Sequence, residues 1–175
     1  MPPSFPKNII LFGDDHWTHL LPLTFTRPIS ELRVGILTIR EKWEKHLGGR
    51  ASYITQDYLA EKYPIHIAQD NILINSTFLP DKSLVSYIFN LKLNEALLLG
   101  NELIAARLSD DQFDMLSADD TALQSLKGVD LGVGRIIKKK SQSGAVGREF
   151  AVTEIGRVLG VVAVVKPVDR VLSEV

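Results

Sequence analysis

Four consecutive apolar residues, Ile9-Ile10-Leu11-Phe12, follow Asn8 and are stopped at once by Gly13-Asp14-Asp15. A strand with one wet face alternates apolar and polar residues. An unbroken run of this length needs cover on both faces, as in a parallel sheet sandwiched between helices. The run therefore predicts an α/β fold from the first dozen residues.

The rest of the chain is read from that constraint. A loop holding Pro22 and Pro28 follows, and then a predicted helix, Glu31 to Leu47, with Leu32, Ile36, Ile39 and Trp43 at three- and four-residue spacing. Ser30 is its expected N-cap and Gly48-Gly49 its stop. Strands are expected at Ala51–Thr55 and Ile72–Ile74, and helices at Asp57–Lys62 and Asp81–Leu91. Glu95–Leu99 and Glu102–Arg107 read as strands around a Gly100-Asn101 turn, and Ser109 as the cap of a helix running to Lys127. Strand and helix alternate, which predicts a doubly wound, mostly parallel sheet. Residues 1–127 are expected to form the N-terminal part of this domain. Residues 128–175 are rich in Val and Gly, with a buried strand expected in Val158–Val165. They are either a strand-rich tail of the same domain or a truncated or aberrant continuation of it.

Net charge is −1 from 20 basic and 21 acidic residues, which argues against nucleic acid or an anionic membrane as partner. The cluster Lys138-Lys139-Lys140 reads as a solvated loop. There is no cysteine, so disulfides and thiolate metal sites are excluded. The N-terminus has no apolar signal segment, and Val158–Val165 is far short of the roughly 20 residues that span a bilayer. A cytoplasmic protein is expected.

In open α/β sheets ligands bind beyond the carboxyl ends of the strands, which places the loop Leu20–Pro28 at the expected site. Thr24, Thr26 and Arg27 supply hydroxyl and guanidinium donors there, and Arg suits phosphate through its planar fork. The competing reading pairs Arg27 with Glu31 on a loop shaped by its prolines. Trp17 and Trp43 read as core or rim aromatics, with Trp17 also near enough to the loop to stack on a base. His16 and His19 read as surface-loop residues rather than a metal site, which usually needs three or four ligands. Gly132-x-Gly134 precedes a strand-like run and so is no dinucleotide fingerprint.

The stretch Leu20-Leu21-Pro22-Leu23-Thr24-Phe25-Thr26-Arg27-Pro28 resembles the Leu-x-Pro-Leu-Thr-x-x-x-Pro segment of sugar-phosphate nucleotidyltransferases. Phe25 to Ile36 and Glu41-Lys42-Trp43 resemble a bacterial subgroup related to N-acetylglucosamine-1-phosphate uridylyltransferase. Ile72–Asn75, Leu79-Pro80, Glu95–Leu98 and Leu103–Arg107 fit the same subgroup in order. The resemblance spans roughly residues 8–108 and implies a nucleotide-diphospho-sugar transferase fold, incomplete at this length because a transferase domain of that family is itself longer than this chain, and the relatives continue beyond it into a β-helix. It implies a nucleoside triphosphate and a sugar-1-phosphate as substrates, with Mg²⁺ as cofactor and no evident ligand for it. It further implies nucleotide or substrate contacts at Gly13, Asp14, Thr24, Thr26, Arg27, Arg33 and Asn75, with Arg27 as the catalytic residue.

The sequence also departs from the pattern. Gly13-Asp14-Asp15-His16 stands where a Gly-rich loop ending Gly-Thr-Arg is expected, and Ile29 replaces a Lys. Asn75-Ser76-Thr77 occupies the place of a metal-binding Asp after the third strand. Two readings therefore stand: a sugar-1-phosphate nucleotidyltransferase releasing pyrophosphate, or a non-catalytic nucleotide- or sugar-nucleotide-binding domain or scaffold.

Overall fold

The computed structural model describes residues 8–99, 102–118 and 162–164. Its centre is a six-stranded sheet built on the first apolar run, β1 (Asn8–Phe12). Parallel to β1 lie β4 (Ala51–Ile54) on one side and β5 (Asp70–Asn75) on the other. The sheet continues through β7 (Glu102–Ser109) and β6 (Glu95–Leu99) to β8 (Val162–Val164), in the order β4-β1-β5-β7-β6-β8. Only β7 runs against the rest, so the sheet is mostly parallel, as expected. β8 falls inside the apolar run Val158–Val165.

The register of β1 explains its unbroken apolar run. Ile9 and Leu11 face one side, where Trp43 and Leu47 of α1 (Ile39–Leu47) and Val85 and Ile88 of α3 (Lys82–Phe89) cover them. Ile10 and Phe12 face the other, in a cluster with Leu73, Leu98 and Phe113 of α4 (Asp110–Ala118). All four apolar side chains of β1 are at most 2% exposed. Burying each contributes about 1.5–3 kcal/mol. A polar substitution at any of them would strand an unsatisfied group between sheet and helix.

The predicted helix Glu31 to Leu47 is corrected. Pro28 precedes a 3₁₀ turn, Ile29–Glu31, and a small hairpin follows, β2 (Arg33–Val34) with β3 (Leu37–Thr38). Gly35, at φ +79°, makes the turn, a left-handed conformation that Gly adopts without steric cost. The helix starts only at Ile39. Its cap is Thr38 and not Ser30: the Glu41 N–H donates to Thr38 Oγ1 (3.2 Å) and the Thr38 N–H to Glu41 Oε2 (2.7 Å). This reciprocal capping box satisfies two donors that an isolated helix end would leave orphaned. Gly48, at φ +76°, ends the helix as expected. Ile36, in phase with Ile39 and Trp43 by sequence, is 87% exposed at the hairpin tip.

The other elements follow the sequence more closely. Asp81 caps α3 by accepting from the Leu84 N–H (2.8 Å), and α2 spans Asp57–Ala60. Ser109 caps α4 through its hydroxyl to the Gln112 N–H (3.4 Å). The Gly100-Asn101 turn, the lysine run and the Gly132-x-Gly134 segment lie outside the described residues.

Candidate phosphate-binding cleft

β1 and β5 are parallel neighbours, so their carboxyl ends emerge side by side, and a cleft of about 820 Å³ opens beside them. One wall is the segment after β1, which carries His16, His19, Thr26 and Arg27. The β2–β3 hairpin contributes Arg33 and Val34, and the turn after β5 contributes Ser76 and Thr77. Leu20, Leu23 and Leu79 add apolar wall. No Asp or Glu lines the cleft among the described residues. Its polar lining is basic and hydroxylic, which suits an anion.

The two arginines have different surroundings. Arg33 donates Nη1–H to the Ile36 carbonyl (2.8 Å) across its own hairpin turn. Arg27 is exposed and makes no hydrogen bond or ion pair among the described residues. Glu31 is not its partner. The Glu31 carboxylate accepts from Arg40 Nε (2.5 Å) and from the Tyr53 hydroxyl (2.6 Å). Burial and the Glu31 hydrogen bond push the Tyr53 phenol above its ordinary pKa. Arg40 also reaches Glu44 (2.7 Å), and these bonds outweigh burial and hold its pKa above the ordinary value.

Below the cleft, Gly13, Asp14 and Asn75 tie the two strand ends together. A Cβ at Gly13 would sit 3.2 Å from Ile29 Cδ1, so the residue in the expected lysine position is packed core, 3% exposed. Asn75 donates Nδ2–H to Asp14 Oδ2 (2.9 Å) and to the Leu103 carbonyl (3.1 Å). Its Oδ1 accepts from the Thr77 N–H (3.0 Å) and hydroxyl (2.7 Å). Asp14 Oδ1 accepts from the His16 N–H (3.0 Å) and lies 2.7 Å from His16 Nδ1. Thr24 is buried and donates to the Trp17 carbonyl (2.6 Å), bracing the loop from inside. Trp17 packs against the core. Trp43 is fully buried and donates Nε1–H to the Phe78 carbonyl (3.1 Å).

Of the residues singled out by sequence, the cleft therefore brings together Thr26, Arg27 and Arg33. Gly13, Asp14, Thr24 and Asn75 form the framework around it. Sequence reasoning did not select Ser76 and Thr77 as binding residues, nor assign His16 and His19 to a binding wall. The available signal was a pair of small hydroxyl residues directly after a buried strand.

The matching family model is described as sugar nucleotidyl transferase and covers residues 9–144, more than half of the chain. The chain belongs to the sugar nucleotidyl transferase family. No curated protein and no solved structure matches it. The family assignment agrees with the α/β sheet and with a cleft at the carboxyl ends of its strands. Among the described residues of this sugar nucleotidyl transferase-family chain, no three His, Asp or Glu side chains converge to hold a metal. Asp14 accepts a hydrogen bond at each carboxylate oxygen, and the Asn75 amide bonds through both its nitrogen and its oxygen. No helix among those described is long and apolar enough to cross a membrane.

Proposed function

We propose that the cleft binds the phosphate groups of a nucleoside triphosphate and a sugar-1-phosphate, and that the chain is a sugar-1-phosphate nucleotidyltransferase of the N-acetylglucosamine-1-phosphate uridylyltransferase-related subgroup. The observation that carries the reading is Arg27: exposed on the cleft wall, deprived of Glu31 by Arg40 and Tyr53, and facing a lining without described carboxylates. In this reaction a sugar phosphate oxygen attacks the α-phosphorus of the triphosphate, forming a new P–O bond as the bond to pyrophosphate breaks. The attacking phosphate is already anionic, so the protein's task is to position the groups and neutralise charge. Arg27 suits that task by donating two parallel N–H bonds to non-bridging oxygens. Arg33 adds positive charge across the cleft, and Thr26 a hydroxyl. Gly13, Asp14 and Asn75 hold the strand ends that carry these groups.

Asp14 and Asn75, engaged with each other and with their own loops, favour a second reading, a domain that binds nucleotides or nucleotide sugars without turnover. Pyrophosphate release, assayed on the full chain with several nucleoside triphosphates and sugar-1-phosphates with added Mg²⁺, separates the two. Release above the no-enzyme rate, lost in Arg27→Ala, supports the transferase. Binding without release supports the second reading.

A further inference from the structure

Ser76 has no part in the reading above, yet it lines the cleft. It follows β5 directly, and its N–H donates to the Phe12 carbonyl (2.8 Å), which continues the β1–β5 ladder by one rung. Asn75 on one side is held by Asp14 and Leu103, and Thr77 on the other is held by Asn75. The backbone at Ser76 is thus fixed from three directions. The side chain is different. Ser76 is 1% exposed, and its Oγ is buried with no hydrogen-bond partner among the described residues. A buried hydroxyl has given up its bonds to water, and folded proteins seldom leave such a group unsatisfied without a functional cause. Ser76 nonetheless lines the cleft, among His16, Thr26, Arg27 and Arg33. Rotation about χ1 among its staggered wells reorients the hydroxyl without disturbing the backbone.

We infer that Ser76 donates its hydroxyl directly to a phosphate group bound in the cleft, standing where the resemblance leads one to expect a metal-binding carboxylate. This rests on the reading of the cleft as a phosphate site. The physical difference between the two residue types is plain. A carboxylate at that place repels phosphate oxygens unless a cation lies between them, whereas a hydroxyl supplies the one thing an acceptor-only phosphate lacks, a hydrogen-bond donor. The side chain is not assigned as a nucleophile, because no base among the described residues lies within hydrogen-bonding distance of Oγ. Its role is to hold an oxyanion.

The test is calorimetric titration of the full chain, Ser76→Ala and Arg27→Ala. Inorganic pyrophosphate, adenosine triphosphate, uridine triphosphate and glucose-1-phosphate are separate arms, and urea unfolding is run beside them. Ser76→Ala is expected to weaken at least one arm by roughly ten- to a hundredfold, the range of a hydrogen bond to a charged group. The arm affected identifies whether the triphosphate or the sugar phosphate sits over β5. Its urea midpoint is expected to stay or rise, since the substitution removes an unsatisfied buried group. A lowered midpoint would mean that the hydroxyl has an internal partner, and overturns the inference. So does unchanged affinity in Ser76→Ala where Arg27→Ala binds weakly, and in that case the phosphate cleft itself survives. If the unaltered chain binds none of the four, or neither substitution matters, the cleft is not a phosphate site and both readings fall.

Discussion

Arg40 and Arg27 lie thirteen positions apart, and they show two uses of one side chain. Arg40 is three-quarters buried and divided between Glu31 and Glu44, with Tyr53 sharing the Glu31 oxygen. Arg107 is held in the same manner. Its Nε and Nη2 donate to the two Asp70 oxygens (2.9 and 2.7 Å) and its Nη1 to the Leu91 carbonyl (2.8 Å). The hydrogen bonds to Asp70 are the main reason its pKa is raised. Arg27, by contrast, is exposed and has no described carboxylate beside it. The difference teaches that local sequence does not assign an arginine its role. Glu31 is one turn from Arg27, but it belongs to Arg40, because the hairpin carries α1 back across the loop.

Two substitutions of similar size should separate these uses most sharply. Arg40→Ala leaves Glu31 and Glu44 without their cation, and is expected to lower stability by about 2–3 kcal/mol, the scale of lost charged hydrogen bonds. Urea unfolding measures it, and phosphate affinity, corrected for folded fraction, should not move. Arg27→Ala should do the reverse, with the urea midpoint unchanged and the best-bound phosphate ligand weakened by about 1.5–3 kcal/mol in calorimetry. Equal loss of stability in both variants would erase the distinction between a framework arginine and a ligand arginine.

Arg107→Lys keeps the charge and discards the fork. Lysine cannot reproduce two parallel bonds to Asp70 together with one to Leu91. A loss of about 1 kcal/mol in urea unfolding is expected, with phosphate binding intact. No loss would mean that charge alone, and not bidentate geometry, holds β5 to β7.

The smallest effect concerns acid pH. The Thr38 N–H bond, chiefly, holds the Glu41 carboxyl below its ordinary pKa. A carboxyl depressed in the folded state contributes stability above its unfolded pKa, about 4.3. That contribution is lost as pH falls through the lower folded value. In an NMR titration Glu41 should therefore retain its charge to lower pH than an exposed glutamate with no such donor. In Thr38→Pro, which removes that N–H, it should titrate in the ordinary range.

Much of the fold was legible because the sequence signals were strong and mutually consistent. Four apolar residues closed by Gly13 could be little other than a strand covered on both faces, and Asp81 and Gly48 marked helix ends that the structure keeps. The beginning of α1 was not legible by periodicity, since Leu32 and Ile36 fall in phase with Ile39 and Trp43. Gly35 and the Thr38-x-x-Glu41 box were the signals that outweighed the phase, and they act over only a few residues. For the site, position was readable and availability was not. Arg27 could be placed on the loop after β1, but its lack of a partner depends on Arg40 and Tyr53, which only tertiary structure brings to Glu31. Ser76 is the same case in reverse, a residue whose missing bond becomes visible only when its neighbours' bonds are accounted for.

The place of β6 in the sheet has a consequence for how the chain can be made. It follows β5 in sequence but does not pair with it. Its two neighbours are β7 and β8, and both leave the ribosome after it does. When Leu99 emerges, neither partner strand of β6 has yet been made, while β4, β1 and β5 can already pair among themselves. β7 must arrive first, form a hairpin with β6, and carry it across to β5. β8 lies roughly fifty residues further on, a delay of several seconds at ordinary rates of synthesis. Until β8 arrives, β6 lacks its final partner on that side, and an unpaired strand edge is a template for pairing with another chain.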